Sequence, residues 1–272
     1  MAKTYTAPAK VNLMLHVTGK RSDGYHLLNT LISFIDLADI LRVDDADSYS
    51  LAVDGPFADH APVGEDNLVT RAVRAMEKAA GKTADVFVQL TKNIPAGAGL
   101  GGGSSDAAAM MHALNERWNN VFTLQQLQDI GLKIGAELPV CLAGGAHFVS
   151  GIGEIIHPAQ IPSFEAVIVW PGKKLATKDV FAVHKAAFSA PVKIPDRVSG
   201  SWISMQRNDL TEAATLLQPV VRAVIAETGG RMSGSGSAVC AITHEPEKLA
   251  IAVSEAHPEW WVRTCKVNAA AA

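Results

Sequence analysis

The chain has 272 residues, above the usual size of one domain, so one large domain or two modest ones are the natural readings. Apolar residues make up 48% and charged residues 19%, which supports a core and excludes a disordered chain. A net charge of −3 supplies no global positive field for nucleic acid or an anionic membrane, and no apolar run reaches the roughly 18–20 residues that span a bilayer. The start, Met1-Ala2-Lys3-Thr4-Tyr5, lacks the apolar stretch of a secretion signal. Cys141, Cys240 and Cys265 are far apart and outside any CxxC pair, so neither a disulfide framework nor a zinc knuckle is expected. The expectation is a cytoplasmic globular protein.

Strand material comes first: Val11, Leu13, Leu15 and Val17 alternate with Asn12, Met14 and His16, giving one dry face. Lys20-Arg21-Ser22-Asp23-Gly24 reads as a turn, Leu27 to Val43 as apolar β-branched chain, and Val86 to Leu90 as a short strand. Between these, Asn67 to Ala80 has helical spacing and stops at Gly81. After the glycines at 97–103, Ser104 and Ser105 are N-cap candidates for a helix with the stripe Ala107, Met110, Met111, Leu114 and Trp118. A second helix covers Leu124 to Ile134, with strand-like pieces at Val140–Leu142 and Ala146–Val149. Gly151–Pro162 reads as a boundary, dividing the chain into domains 1–157 and 158–272. Beyond it come a buried strand Ala166–Trp170, a helix from Val180 to Phe188, and a helix from Pro219 to Thr228 closed by Gly229-Gly230. A strand Ala238–Thr243 and a helix Pro246–Ala256 complete the pattern, and the alanines 269–272 are low in complexity. Strands and helices mix without strict βαβ alternation, which favours α+β in two domains.

The most informative segment runs from Lys92 to Asp106, with five glycines in the seven positions 97–103. Glycines at that density serve close approach or positive φ, and a strand-to-helix position adds free N–H groups and the positive end of a helix. That is a phosphate cradle; the plain alternative is a flexible connection before a well-capped helix. Gly97-Ala98-Gly99-Leu100-Gly101-Gly102 fits the letters of GxGxxG, but the following helix leads through Trp118-Asn119-Asn120 to another helix, not to a strand. No lysine follows the glycines as in a Walker A loop, and neither HRD nor DFG occurs as in a protein kinase.

Pro95 to Ser105 resembles the central motif of the kinases grouped as galactokinase, homoserine kinase, mevalonate kinase and phosphomevalonate kinase. Ala7-Pro8-Ala9-Lys10-Val11-Asn12-Leu13, followed by Gly19 to Leu28 with Asp23-Gly24-Tyr25-His26 inside it, narrows the likeness to the 4-diphosphocytidyl-2-C-methyl-D-erythritol kinase family. Met232-Ser233-Gly234-Ser235-Gly236-Ser237-Ala238-Val239 is similar to that family's carboxy-terminal glycine loop. The resemblance implies transfer of the γ-phosphoryl group of ATP, with Mg²⁺, to an alcohol on a cytidine-diphosphate-linked methylerythritol in non-mevalonate isoprenoid biosynthesis. It also implies a ribosomal-protein-S5-like amino-terminal domain and a ferredoxin-like carboxy-terminal one, with the active site in the cleft between them. The partners would be the two small molecules, with no nucleic acid or membrane, and the chain a monomer or weak homodimer.

Phosphoryl transfer has a loose transition state, so positioning and charge stabilisation dominate. Lys10 is the candidate cation at the acceptor hydroxyl, against the plain role of a strand-start lysine. Asn12 shares its strand face and is a substrate candidate. The resemblance puts the cytidine end at Tyr25 and His26, with Thr177 and Phe181 as a second wall, although Ala176 and Lys178 stand where the family often has prolines. It puts ATP at Pro95, Ala96, Gly97, Ala98, Gly99, Leu100, Gly101, Gly102, Gly103, Ser104 and Ser105, the last as a phosphate contact, and the adenine beside Asn67, which is equally suited to cap a helix. The family's catalytic aspartate aligns with Glu137 in Gly135-Ala136-Glu137-Leu138-Pro139-Val140. One extra methylene moves the carboxylate by about a bond length, and ~1 Å misplacement can cost on the order of a hundredfold in rate. Two alternatives stay open at this point: another alcohol kinase of the superfamily, and an ATP-binding relative whose chemistry is lost at Glu137.

Overall fold

The computed structural model describes residues 2–193, 195 and 197–268; the alanines 269–272 lie outside them. In chain order the elements are β1 (Lys3–Lys20), β2 (His26–Asp45), β3 (Ser50–Asp54), α1 (Leu68–Ala80), β4 (Val86–Thr91), α2 (Gly102–Arg117), α3 (Leu124–Leu132), α4 (Leu138–Ala143) and β5 (His147–Gly151). They continue with β6 (Ile155–Pro158), β7 (Phe164–Trp170), α5 (Thr177–Val183), α6 (Gly200–Ser204), α7 (Thr211–Leu217), α8 (Val220–Thr228), β8 (Arg231–Met232), β9 (Val239–Ile242), α9 (Pro246–Ala256) and β10 (Trp261–Val267). The mixture of helices with parallel and antiparallel strand pairs is an α+β fold.

Contacts divide the chain into two compact units that interleave in sequence. One comprises Met1–Ala9, Leu37–Ala96 and Gly101–Gly144; the other Lys10–Asp36, Gly97–Leu100 and Gly145–Ala272. The units do not meet at one sequence boundary, because β1 and β2 are long enough for each to supply residues to both.

In the first unit, the later half of β2 pairs antiparallel with β4, and β3 adds to β4 in parallel. Val69, Val73 and Met76 of α1 pack with Met110, Met111 and Leu114 of α2 against Leu41, Val43, Val88 and Leu90. Each such buried side chain contributes roughly 1.5–3 kcal/mol of transfer free energy. The ends of α1 follow their local chemistry. Asn67 Oδ1 accepts the Val69 N–H at 2.9 Å, and Gly81 leaves the helix at φ 63°. Thr123 and Gln126 form a capping box at the start of α3.

The apolar run Val140–Leu142 is helical in α4, against the strand expected from sequence. Pro139 sits in the first turn, where its missing N–H costs nothing, and the i, i+4 pair Leu138 and Leu142 is buried in the core.

In the second unit, β1 is covered on both faces: Asn12, Met14 and His16 are buried together with Val11, Leu13, Leu15 and Val17, so the single dry face expected is replaced by two. Its turn into β2 closes through Arg21 N–H to Tyr25 O at 2.7 Å, with Gly24 at φ 93°. Leu28–Ile32 of β2 pairs with β5, and β5 turns through Gly151 and Gly153 into β6. The segment read as a boundary, 151–162, therefore carries a strand. Downstream, β7 lies between β10 and β9, and β9 pairs with β8. Val167, Val169, Val239 and Val262 pack with Val224 of α8, Val253 of α9 and Trp260. α5 stops at Val183, short of the expected Phe188, which is exposed.

Candidate active site

In the second unit the glycine turn 97–100 and the turn 233–237 are built against each other. Ala238 N–H donates to Ala98 O at 2.9 Å, and Ser233 Oγ donates to Gly99 O at 3.0 Å. Gly99 has φ 82°, and a Cβ there would stand 2.3 Å from Ser233 O, so only glycine fits. Lys10 N–H donates to Leu100 O at 2.8 Å, which brings β1 to the same turn. The Lys10 side chain is 1% exposed, and its ammonium donates to Asn12 Oδ1 at 2.8 Å. A Cβ on Gly234 would lie 3.0 Å from Lys10 Nζ, so the second turn runs directly past that charge. Asn12 is oriented in turn: its Nδ2 donates to Thr30 Oγ1 at 2.9 Å, and its backbone N–H to Ser233 Oγ at 3.2 Å. Two residues of one strand face, the first glycine turn and the carboxy-terminal glycine turn thus meet.

The residues expected around a cytidine also lie in this unit. His26 stacks on Phe181 with ring centroids 4.8 Å apart and planes 20° apart, and His184 meets His26 edge-on. Burial holds the His26 imidazole below its ordinary pKa, with Lys20 and His184 pushing the same way. The neutral ring carries one donor and one acceptor nitrogen. Tyr25 is 59% exposed. Thr177 opens α5, and its hydroxyl lies 2.9 Å from Ser235 Oγ, which ties this wall to the second turn. Leu175 N–H donates to Gly97 O at 3.1 Å.

The first unit holds the rest of the glycine segment. Pro95 and Ala96 lead into it, and it resumes at Gly101, Gly102 and Gly103. Gly101, at φ 68°, is the N-cap of α2, so Ser104 and Ser105 fall inside the first turn and do not cap it as expected. The glycine takes the left-handed position that a serine would strain to adopt. Among the described residues no side chain caps α2, so no side-chain cap takes up the N–H groups of its first turn. This 16-residue helix end beside glycines suits phosphate. Ser105 is buried, with Oγ donating to Pro8 O at 2.6 Å and lone pairs left to accept. Asn67 is 4% exposed; besides capping α1 it donates to Pro62 O at 3.0 Å. Glu137 is the half-buried N-cap of α4. It belongs to the first unit and Lys10 to the second.

Sequence reasoning missed a buried ionic cluster beside that helix end. Lys92 Nζ donates to Asp39 Oδ2 and, at 2.5 Å, to Asp106 Oδ2. Asp106, at the end of the segment singled out in the sequence, is spent in this cluster. Burial pushes the Asp106 carboxyl well above the usual carboxylate range, with Lys92 opposing and Asp39 adding to the rise. Asp39 accepts from the ammonium and from the Asn93 and Ile94 N–H groups. The signal was present as a lone aspartate inside the apolar run Leu37–Val43. Thr30 was missed for the same reason, as one hydroxyl in a strand read only for its apolar content. Among the described residues no group of three or more His, Cys, Asp and Glu could hold a metal, and no helix is long and apolar enough to cross a membrane.

Residues 67–145 match the model for the GHMP kinases N terminal domain, and residues 200–263 that for the GHMP kinases C terminal domain. The chain is 40% identical over 272 residues to a 4-diphosphocytidyl-2-C-methyl-D-erythritol kinase of Paramagnetospirillum magneticum, covering 94% of this chain and 95% of that protein. A protein of the same name from Brucella melitensis is also 40% identical, over 95% of this chain and 93% of its own. The crystal structure of a 4-(cytidine 5'-diphospho)-2C-methyl-D-erythritol kinase superposes with a TM-score of 0.81 at 32% identity, covering 99% of this chain and 100% of that one. A homoserine kinase from Cytophaga hutchinsonii shares the fold, with a TM-score of 0.70 at 19% identity over 98% of this chain and 95% of its own. With its glycine turns, buried Lys10 and near-full-length relatives, this chain belongs to the 4-diphosphocytidyl-2-C-methyl-D-erythritol kinase family of the GHMP kinases.

Proposed function

We propose that this chain transfers the γ-phosphoryl group of ATP to a hydroxyl of 4-diphosphocytidyl-2-C-methyl-D-erythritol, a step in making isoprenoid precursors by the non-mevalonate route. The observation that carries the reading is the Lys10 ammonium, buried against Asn12 and passed by the Gly234 turn, with the Lys10 N–H bonded to the first glycine turn. The polyphosphate binds along residues 95–105, where the uncapped start of α2 and the Ser105 hydroxyl supply donors and a positive helix end. Mg²⁺, arriving on the phosphates, supplies charge neutralisation to the transfer when bound. The adenine lies beside Asn67.

Lys10 places positive charge where the acceptor hydroxyl turns into a phosphate ester. A fixed charge in a buried site is worth far more there than in water. Asn12 holds the ammonium through its amide oxygen, and Thr30 and Ser233 hold Asn12. Glu137 accepts or orients the hydroxyl proton, its extra methylene taken up by the substrate pose. His26 offers a donor and an acceptor to the cytosine edge, while Phe181, Thr177 and Tyr25 form the walls. His26 and Phe181 already touch, so a base contacts this pair from its edge or parts the rings. Along the sequence we divide the chain at 157/158; the two family-model matches lie on either side. We further propose a cytoplasmic monomer or weak homodimer; Cys141, Cys240 and Cys265, none of them in a disulfide, fit a reducing compartment.

Initial rates of ADP release, with ATP and Mg²⁺, test the reading against 4-diphosphocytidyl-2-C-methyl-D-erythritol, homoserine, mevalonate and galactose. Turnover with the cytidine compound alone is expected. Turnover on another alcohol would overturn the substrate, and tight ATP binding with silence on all four would mark chemistry lost at Glu137.

A further inference from the structure

The Asp39–Lys92–Asp106 cluster has no part in the transfer as described, yet all of its bonds converge on the glycine segment. Asp39 stands in β2 and Lys92 just past the end of β4, while Asp106 lies in the second turn of α2. The three side chains are at most 4% exposed. One carboxylate, Asp39, does two jobs. Its Oδ1 accepts the Asn93 N–H at 2.5 Å and the Ile94 N–H at 2.8 Å, the residues that open the glycine segment. Its Oδ2 takes the Lys92 ammonium, which reaches on to Asp106 and so holds the start of the helix that follows the glycines. Gly102 packs into the same corner, where a Cβ would meet Ile94 Cγ2 at 3.1 Å and Asp39 Oδ2 at 3.3 Å. The backbone entering the segment and the backbone leaving it are therefore referred to a single buried oxygen pair. Among the described residues Asp106 Oδ1 has no hydrogen-bond partner, so the cluster is not simply an optimised structural ion pair.

We propose that Asp39 is a positioning residue for the nucleotide: it presets residues 92–94 and, through Lys92, the first turns of α2, so that the polyphosphate meets N–H groups already in place. This rests on the reading that ATP binds at residues 95–105. A misplacement of ~1 Å at such a site costs on the order of a hundredfold, so an effect of tenfold or more follows from loosening the clamp. Asp39→Asn swaps the doubly accepting carboxylate for an amide that cannot hold both the N–H groups and the ammonium. Asp106→Asn leaves Asp39 and its bonds to Asn93 and Ile94 intact.

The experiment measures the Kd of the non-hydrolysable analogue AMP-PNP with Mg²⁺, together with the separate KM values of the two substrates. Wild type, Asp39→Asn and Asp106→Asn are compared below their unfolding temperatures. Asp39→Asn is expected to raise the AMP-PNP Kd and the ATP KM about tenfold or more while leaving the KM of the alcohol within about twofold, and Asp106→Asn to leave both within about threefold. A folded Asp39→Asn that binds AMP-PNP like wild type would overturn the proposal, as would equal losses for both substrates, which a merely structural role would give. If Asp39→Asn does not fold, hydrogen exchange of wild type decides. The Asn93 and Ile94 amides are expected to be protected like the β4 core before nucleotide is added, and exchange at open-loop rates would overturn the clamp. Wild type that fails to bind AMP-PNP while those amides are protected would instead sink the assignment of ATP to residues 95–105, and Asp39's nucleotide role with it.

Discussion

Among the described residues two lysines are buried, one in each compact unit, and different side chains bond them. Lys92 lies between the carboxylates of Asp39 and Asp106. Lys10 donates to the neutral amide oxygen of Asn12, which is itself fastened by Thr30 and Ser233. Carboxylates position an ammonium and compensate its charge, and an amide oxygen also positions it. The first arrangement suits a group that orders backbone, because the compensated charge can be buried deeply. Lys10 instead stands beside the Gly234 turn, within the site proposed for the transfer. Burial alone does not separate the two lysines, since both are almost fully covered; what each is built against does.

The sharpest way to break this contrast is to remove each ammonium. Lys92→Met strands the buried carboxyl groups of Asp39 and Asp106 and is expected to lower the unfolding free energy by about 3–5 kcal/mol in urea denaturation. A loss under about 1 kcal/mol would show that the cluster does not bear on folding. Lys10→Met is expected to cut kcat by about 10²–10³ with little change in the urea midpoint, read by steady-state kinetics beside denaturation. Near-normal turnover would remove Lys10 from the chemistry.

Gly99→Ala sharpens the comparison from the neutral side, because a Cβ would drive into Ser233 O at φ 82°. A stability loss of about 1–3 kcal/mol is expected, with a fall in turnover as the two turns part. Wild-type stability and rate would mean that the turns need not meet so closely.

The last expected effect is a slope with pH, not a single loss. In the folded chain burial raises the Asp106 pKa, so the folded state holds a proton that the unfolded chain has released. That contribution is whole below the ordinary carboxylate value and is lost as pH rises from there to the raised value, by about 1.4 kcal/mol for each pH unit. Asp106→Asn cannot titrate, so its stability relative to wild type should climb across that window. Parallel pH–stability curves for the two proteins would show that Asp106 is ionised in both states.

Much of this was legible in the sequence, and the reasons differ by region. Helices with local punctuation were read to the residue or nearly so: Asn67 and Gly81 bound α1, Gly229 closes α8, and α9 runs over Pro246–Ala256 as expected. β10 was not foreseen, because Arg263, Thr264 and Lys266 interrupt the alternation that marks a strand; its pairing with β7 is a long-range fact. α4 was misread because an apolar run of three carries no period of its own. The glycine turns and Lys10 with Asn12 were legible as motifs, while Thr30 and Asp39 were not. A polar residue inside an apolar strand announces a buried role without naming its partner, and both partners here come from distant sequence. The interleaving of the two units was equally hidden, since nothing local in β1 or β2 shows a strand serving both.

The central claim is the chemistry, and product identification tests it most directly. Wild-type protein, ATP, Mg²⁺ and 4-diphosphocytidyl-2-C-methyl-D-erythritol would be followed by ³¹P nuclear magnetic resonance and mass spectrometry. The expected products are ADP together with one new phosphomonoester on the methylerythritol and an intact diphosphate linkage. ADP accompanied only by inorganic phosphate, or a phosphoryl group carried by a different acceptor, would contradict it.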